Sequence, residues 1–384
     1  MKLLHLADLH LGKNVVGLSM IDSQKYVLDQ AIDLCKKEGI KHIIISGDVY
    51  DRSIPPEEAV ILLNRFLSKA ILDEKLKVYI ISGNHDSKER LACFNGILEK
   101  QGLYIDSGIN KDLSMNKHVI DESGLKINIY SLPYLFPGEV RALSGDDTIK
   151  DFEKAIIKVL DNNKLNKDEI NIINTHYFVT GNVEPIRSDS EIKTSVGTIE
   201  QVSYKVFDDY DYVALGHLHC PQHVGRDTVR YAGSLLRYSV DEISQNKSFL
   251  VVDIKSKDDI STKKVEIKPL YEFVYLTGTV DELTQNSEIK DERIVFFKLT
   301  DESHVLNAAA RLKIKYPHYV GLGYINIKNT VDDDESLEKE AGFEELTTDQ
   351  QFDKFYRFIT EKDMDETQKK AVENVTKELE KEEN

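Results

Sequence analysis

The sequence has few cysteines and no long apolar run. Its three cysteines, Cys35, Cys93 and Cys220, share no CxxC spacing and cannot all pair, which excludes a disulfide framework and favours a reducing compartment. No apolar run reaches the roughly 18 residues that a membrane-spanning helix needs. The N-terminus leads directly into a candidate strand that carries Asp8 and His10, so we expect no cleaved signal peptide. The sequence therefore predicts a cytoplasmic protein.

The sequence also lacks an excess of basic residues. Its 50 basic and 67 acidic side chains give a net charge of −17, which argues against a nucleic-acid partner. The acidity is concentrated in residues 331–384, with 19 acidic and 8 basic side chains, whereas the first 330 residues have 48 and 42. Carboxylates that bind cations are moreover counted here without those cations. The net charge alone therefore excludes little.

The length of 384 residues and the alternation of patterns predict several regions. Up to about residue 255, strand-like apolar runs alternate with amphipathic helical stretches such as 23–37 and 57–69, which indicates an α/β fold with sheets flanked by helices. We predict four regions: a catalytic domain over 1–268, a small α+β module over 269–330, an acidic linker over 331–348 and C-terminal helices over 349–384.

Five short motifs with metal-binding side chains occur along the chain, most of them directly after an apolar run. They are Asp8-Leu-His10, Gly47-Asp48, Gly83-Asn84-His85-Asp86, His176 and Gly216-His217-Leu-His219. The apolar runs are typical of buried strands, and ligands at their ends would meet at one edge of a sheet. One such motif alone could be a turn or a surface strand. All five together predict a metal site.

The side chains in these motifs suit a hydrolase with two metal ions. Two cations about 3.5–4 Å apart can activate a water molecule and neutralise the charge that develops on a phosphate. Holding them so close requires a bridging anion, which a carboxylate provides. Histidine nitrogens and carboxylate oxygens suit Mn²⁺, Fe²⁺ or Zn²⁺ better than Mg²⁺ or Ca²⁺.

The order of the five motifs resembles that of the calcineurin-like metallophosphoesterase superfamily. The resemblance implies a sandwich of two mixed β-sheets flanked by helices. It implies that one metal is held by Asp8, His10, Asp48 and His219, and the other by Asp48, Asn84, His176 and His217, with Asp48 bridging. It also implies that His85 is the catalytic proton donor to the leaving oxygen. We expect Asp86 to orient His85.

Further segments resemble the DNA exonuclease subunits of this superfamily. They include Tyr-Ser-Leu-Pro-Tyr (130–134) and Tyr-Ala-Gly-Ser-Leu-Leu-Arg-Tyr-Ser (231–239). The resemblance implies a Mn²⁺-dependent nuclease of DNA repair, recombination and replication, associated with the nucleoid. It would act as an exonuclease on double strands and as an endonuclease on single strands and hairpins. The implied partner is an ATPase with a long coiled coil, related to the SMC proteins, and the implied assembly is a homodimer within a 2:2 complex.

The same resemblance implies roles for the C-terminal regions. Residues 269–330 would form a DNA-capping domain, and residues 349–384 would dock on the coiled coil of the ATPase. The predicted terminal helix has an apolar stripe that this docking would bury, consisting of Phe352, Phe355, Tyr356 and Ile359. Packing of the stripe against the rest of the protein is the alternative.

Candidate DNA contacts are basic residues near the motifs in sequence, namely Lys13, Lys25, Lys88, Arg90 and Arg187. Two other functions stay open. The segment Gly-Asp-Val-Tyr-Asp51-Arg52 is similar to a motif of phosphoprotein phosphatases, although Ser53 replaces their glycine and GNHD stands where they have GNHE. Alternatively, the chain could be mainly a scaffold for the ATPase. The complete set of ligand positions argues against a purely scaffolding role.

Overall fold

The computed structural model describes residues 1–122, 124–191, 201–285 and 290–326, together with residues 364, 368, 369 and 372. All elements named below belong to one compact unit, Met1–Asp301 with Val305–Tyr324. Its strands are β1 (Lys2–Leu6), β2 (Asn14–Val15), β3 (Leu18–Ser19), β4 (His42–Ser46), β5 (Lys77–Ile81), β6 (Leu103–Asp106), β7 (Asn116–Glu122), β8 (Leu125–Leu132), β9 (Ile170–His176), β10 (Val179–Thr180), β11 (Val202–Ser203), β12 (Tyr212–Gly216), β13 (Gln222–Val224), β14 (Arg226–Tyr231), β15 (Ser248–Ser256), β16 (Asp259–Glu266), β17 (Phe273–Gly278), β18 (Ile294–Leu299) and β19 (Tyr319–Tyr324). Its helices are α1 (Ile21–Glu38), α2 (Glu57–Ser68), α3 (Lys88–Leu91), α4 (Asn95–Leu98), α5 (Pro137–Ser144), α6 (Phe152–Asp161), α7 (Val280–Thr284) and α8 (Ala308–Lys315).

Two mixed sheets of six strands form the main domain. Their orders are β16-β15-β1-β4-β5-β6 and β13-β14-β12-β9-β8-β7. In the first sheet β1, β4 and β5 run parallel, while β15 pairs antiparallel with β1, placing Leu3 opposite Val252. In the second sheet β8, β9 and β12 run parallel. This arrangement confirms the predicted sandwich of two mixed sheets.

Apolar residues fill three layers of this domain. Between the sheets, a cluster that includes Leu3, Ile44 and Ile172 is fully shielded from solvent. The outer face of the first sheet packs against α1, which contributes buried Val27 and Ala31, and against α2. The outer face of the second sheet packs against α5 and α6. The continuous apolar runs of the strands follow from this burial on both faces.

A smaller module follows the main domain in sequence. Strands β17, β18 and β19 form a parallel sheet of three, which packs with α7 and α8 around residues such as Phe297 and Leu312. Phe273, Ile294 and Val320 instead join the large core that α1 and α2 cover. A module of this size cannot bury much apolar surface by itself, so this shared packing is expected.

The predicted boundaries of the four regions stay predictions. The acidic linker over 331–348 lies outside the described residues, and so do the C-terminal helices over 349–384, apart from four single positions. No helix in the described part of the chain is both long and apolar enough to cross a membrane.

Candidate metal centre

The structure brings all seven predicted ligands together where parallel strands of both sheets end. The first sheet provides Asp8 and His10 after β1, Asp48 after β4 and Asn84 after β5. The second sheet provides His176 at the end of β9, and His217 and His219 after β12. Six of the seven side chains are buried, and Asn84 is half-buried. Their role as ligands stays a prediction that metal-binding measurements must test.

One group of donor atoms consists of Asp8, His10 and His219. A carboxylate oxygen and two imidazole nitrogens from these residues all lie within 4.8 Å of one another. The Nε2 atoms of His10 and His219 face each other at 3.1 Å. A cation between two such nitrogens would accept a lone pair from both rings. The group therefore fits one metal ion.

A second group contains Asp8, Asp48 and His176, whose donor atoms also lie within 4.8 Å of one another. The Nε2 atom of His176 lies 3.4 Å from Asp48 Oδ2 and 3.0 Å from Asn84 Oδ1. The same Asn84 oxygen lies 3.4 Å from Nδ1 of His217. A carboxylate oxygen, an amide oxygen and two imidazole nitrogens thus converge at a second position.

Asp48 belongs to the second group and also approaches His10 of the first. Its Oδ2 atom is 3.4 Å from Nε2 of His176 and 3.7 Å from Nε2 of His10. In addition, the buried Oδ2 of Asp8 has no hydrogen-bond partner among the described residues. An unpaired buried carboxylate oxygen is costly unless a cation compensates it. The cluster of aspartates and histidines therefore fits a dinuclear centre for divalent metal ions.

Burial shifts the pKa values of these groups strongly. Burial raises the pKa of the Asp8 carboxyl to about 7 and lowers the pKa of His10 to about 4 and of His217 to about 3. Burial also opposes ionisation of Asp48, but the adjacent His176 outweighs it and holds the pKa of Asp48 well below its usual range. The neutral imidazoles of His10 and His217 and the ionised Asp48 are in the protonation states that bind metal. Burial lowers the pKa of His176, but Asp48 outweighs burial and raises that pKa to about 9, so a metal ion would displace a proton from this ring.

Four residues of the cluster have an unusual backbone conformation. Positive φ angles occur at Asp8 (51°), His10 (42°), Asp48 (47°) and His217 (105°). Such conformations cost a non-glycine residue on the order of 1–3 kcal/mol and persist only where the surrounding structure enforces them. Four such residues at one site lower the stability of the fold, and in return the backbone directs their side chains into the cluster.

The glycines within the motifs allow the ends of the strands to approach closely. A Cβ atom on Gly216 would lie 1.8 Å from the carbonyl oxygen of Ser46, on the opposite sheet. A Cβ atom on Gly83 would lie 2.1 Å from Oδ1 of Asp48. Both distances are far below van der Waals contact. Any larger residue at these positions would push the ligands apart.

His85 lies at the edge of the cluster, beside Asp48. Its backbone N–H donates to Oδ1 of Asp48 at 2.9 Å, and its Nε2 lies 3.9 Å from Oδ2 of the same residue. Its Nδ1 donates to the carbonyl oxygen of Asp51 at 2.8 Å. This hydrogen bond fixes the ring so that Nε2 faces the cluster.

The expectation that Asp86 orients His85 is wrong. The Asp86 carboxylate instead accepts hydrogen bonds from the backbone N–H groups of Val49 (3.1 Å), Tyr50 (2.9 Å) and Gly83 (3.0 Å). It therefore holds together the two loops that follow β4 and β5. The backbone carbonyl of Asp51 orients His85, and no sequence motif can reveal a backbone contact of this kind.

Sequence reasoning also missed Glu242, which lies in the turn Asp241–Ser244. This glutamate is fully buried, and its Oε1 lies 2.9 Å from Nδ1 of His219. No motif marks the position. The one available signal was the preceding segment 231–239, which resembles the exonuclease subunits.

Comparison with known proteins agrees with this architecture. Residues 1–221 match the family of calcineurin-like phosphoesterases. The chain is also 33% identical over 380 residues to the SbcD subunit of the SbcCD nuclease of Staphylococcus saprophyticus, covering 98% of this chain and 97% of that protein. The chain therefore belongs to the calcineurin-like phosphoesterases and, within them, to the SbcD family. It is a metal-dependent phosphoester hydrolase, which confirms the class predicted from the motifs.

Two solved structures are more distantly similar. One is a protein of Thermus thermophilus, with 13% identity and a TM-score of 0.39, covering 68% of this chain and 98% of that one. The other is described as a dimetal phosphatase of Danio rerio, with 11% identity and a TM-score of 0.36, covering 71% and 99%. Scores this low add nothing to the assignment, which rests on the sequence matches.

Proposed function

We propose that this protein is the nuclease subunit of a complex that processes DNA ends and hairpins. The observation that carries the proposal is the similarity to the SbcD subunit of the SbcCD nuclease, which extends over nearly the full length of both chains. A relative that matched only the phosphoesterase domain would support hydrolysis without indicating the substrate. The proposed activities are exonuclease on double-stranded DNA and endonuclease on single strands and hairpins.

The cluster of aspartates and histidines supports the chemistry of this proposal. Two bound ions, which we propose to be Mn²⁺, would neutralise the phosphate and acidify the attacking water. The chain would hold them through Asp8, His10, Asp48 and His219 on one side and Asp48, Asn84, His176 and His217 on the other. His85 would protonate the leaving oxygen, because its Nε2 is free to carry the transferred proton while Nδ1 stays bonded to the Asp51 carbonyl.

Arg187 is the best placed of the five candidate DNA contacts. Its guanidinium lies 4.5 Å from the centre of the Phe178 ring, which is itself 6.4 Å from the ring of His217. By contrast, Lys13 pairs with Asp51 and Lys88 pairs with Glu139. We therefore propose that Arg187 contacts a phosphate beside the metal centre, at the side where His217 lies.

The partner and the location are part of the same proposal. Residues 269–330 would cap the DNA, and residues 349–384 would bind the SbcC-like coiled-coil ATPase. A homodimer would place two nuclease subunits in a 2:2 complex, in the cytoplasm and near the nucleoid. The relative from Staphylococcus saprophyticus is itself one subunit of a complex, which supports a partner protein.

Cleavage of end-labelled linear DNA tests the proposed activity. We expect the full-length protein to shorten duplex DNA in the presence of Mn²⁺ and to leave it intact with a chelator. A phosphoserine peptide serves as the competing substrate, because the Gly-Asp-Val-Tyr-Asp-Arg segment left a phosphatase open. Dephosphorylation of the peptide with intact DNA would contradict the nuclease assignment. The terminal label that is released first gives the polarity of the exonuclease.

Deletion of residues 349–384 tests the proposed docking segment. We expect the shortened protein to retain Mn²⁺-dependent cleavage, because all proposed ligands lie before residue 220, and to lose binding to the ATPase. Pull-down of the purified ATPase and DNA cleavage would be measured on the same preparation. If the shortened chain unfolds, as judged by circular dichroism, the segment belongs to the protein's own core instead.

A further inference from the structure

Glu242 is a buried charged residue beside the metal centre that is not one of the proposed ligands. Its Oε1 lies 2.9 Å from Nδ1 of His219, and its Oε2 lies 2.7 Å from Nζ of Lys247. The backbone N–H of Tyr238 donates to Oε2 at 3.2 Å. The Glu242 side chain is fully shielded from solvent, and that of Lys247 is 5% exposed. A buried ion pair of this kind costs desolvation energy, which offsets much of the attraction between the two charges.

The contacts of Glu242 determine its protonation state. The Nζ atom of Lys247 lies 2.7 Å from Oε2 of Glu242, and an ammonium group at this distance pairs with an ionised carboxylate. Lys247 also donates to the backbone carbonyl of His219 at 2.9 Å. The ion pair therefore holds His219 at both its ring and its backbone.

An ionised carboxylate can only accept hydrogen bonds, which fixes the tautomer of His219. Its Nδ1 must carry the proton, and the lone pair of Nε2 then faces His10 at 3.1 Å, where a metal ion would lie. The hydroxyl of Ser190 lies 2.7 Å from the same Nδ1 and also bonds Glu242. A carboxylate behind a ligating imidazole makes the ring a stronger donor to metal.

Three of the proposed ligand histidines, His176, His10 and His219, differ in the acceptor group that lies beside Nδ1, the ring nitrogen on the side away from the facing Nε2 atoms. Behind His176 is the neutral backbone carbonyl of Ser46, at 2.8 Å. Behind His10, a carboxylate oxygen of Asp51 lies 3.5 Å away, beyond a good hydrogen bond. Behind His219 is the Glu242 carboxylate, at 2.9 Å. Among these three rings, only that of His219 has a carboxylate within hydrogen-bonding distance of Nδ1. The metal position that includes His219 therefore contains the imidazole with the strongest acceptor on its other nitrogen.

We propose that Glu242 is a positioning residue that fixes the ring and tautomer of His219 and thereby strengthens metal binding selectively at the Asp8–His10–His219 position. This inference rests on the two-ion centre of the proposed function. Replacement of Glu242 should weaken one ion and spare the other. If Glu242 only stabilised the fold, its replacement would weaken the binding of both ions to the same extent.

Titration calorimetry with Mn²⁺ on the full-length protein tests the inference without any nuclease substrate. We expect two ions to bind to the wild type. In Glu242→Gln, one of them should bind about 10- to 100-fold more weakly, the loss typical of removing a partner behind a metal ligand, while the other stays unchanged. Glu99→Gln is the matched control, because Glu99 is an exposed acid shortly before β6, the edge strand of the first sheet, and it should bind both ions as the wild type does.

A second variant covers the case in which Glu242→Gln does not fold. Glu242→Asp keeps a charge for Lys247 but draws the carboxylate back from His219, so it should weaken the same single ion. Circular dichroism in the presence of chelator verifies folding. Unchanged affinities in the folded variants, or an equal loss at both positions, would overturn the inference. A wild type that binds fewer than two ions would instead overturn the dinuclear centre, and this inference with it.

Discussion

Replacing His85 with alanine should lower DNA cleavage by about 10²- to 10⁴-fold while both Mn²⁺ ions stay bound, because a positioned general acid contributes a factor of this size. The expectation follows from geometry. The Nδ1 atom of His85 is committed to the Asp51 carbonyl, and its Nε2 faces the cluster without belonging to either group that surrounds Asp8. Single-turnover cleavage and Mn²⁺ titration on the same preparation would measure the two properties separately.

His223→Ala is the matched control for this variant, since His223 is an exposed histidine on β13 that lies outside the cluster. It should cleave DNA at the wild-type rate. Loss of a metal ion in His85→Ala would show that His85 is a ligand rather than a proton donor. This outcome is measured explicitly because His10, Asp51 and His85 also bring three donor atoms within 4.8 Å of one another.

Replacing Asp48 with asparagine should remove both ions together and lower cleavage by more than about 10³-fold, because the transition state would lose its main electrostatic stabilisation. Asp48 Oδ2 lies within 4 Å of the Nε2 atoms of both His10 and His176, so its charge serves both positions. Asparagine is preferred to alanine because Asp48 has a φ of 47°, a conformation that asparagine tolerates.

The stoichiometry of Mn²⁺ binding decides this prediction. One ion retained at wild-type affinity would show that Asp48 does not bridge. Asp227→Asn, at a carboxylate that is 83% exposed on β14, is the control and should bind two ions. Thermal unfolding with chelator present should show similar midpoints for both variants, which would separate loss of metal from loss of fold.

The residue pattern was sufficient to predict sheets flanked by helices and the convergence of the motif side chains at a sheet edge, whereas the sandwich of two mixed sheets came from the family resemblance. Each of the motifs at Asp8, Asp48, Asn84 and His176 follows a run of buried residues, and the carboxyl ends of parallel strands share one edge of a sheet. The role of the motif glycines, in contrast, came from the structure. Gly83 and Gly216 lie where one strand end meets another, and only a residue without a side chain fits there.

The residues behind the ligands could not be predicted in the same way. Asp86 stands next to His85 in sequence, but its carboxylate turns to three backbone N–H groups instead. Glu242 lies 23 residues beyond His219, and its role depends on burial with Lys247 that no local pattern signals. Contacts of this kind depend on packing between segments that are distant in sequence. The positions of the motif residues, in contrast, depend mainly on where their own strand ends.

The distribution of the donors over two sheets has a consequence for biosynthesis. Residues 1–175 contain Asp8, His10, Asp48 and Asn84 but none of the three histidines of the second sheet, and His10 meets His219 across 209 positions of the chain. Strand β1 moreover pairs on one side with β15, at residues 248–256. A chain synthesised only to residue 175 can therefore build neither ion position completely. Because ions that bind only the folded main domain stabilise only that domain, metal uptake reports that both sheets have formed and met.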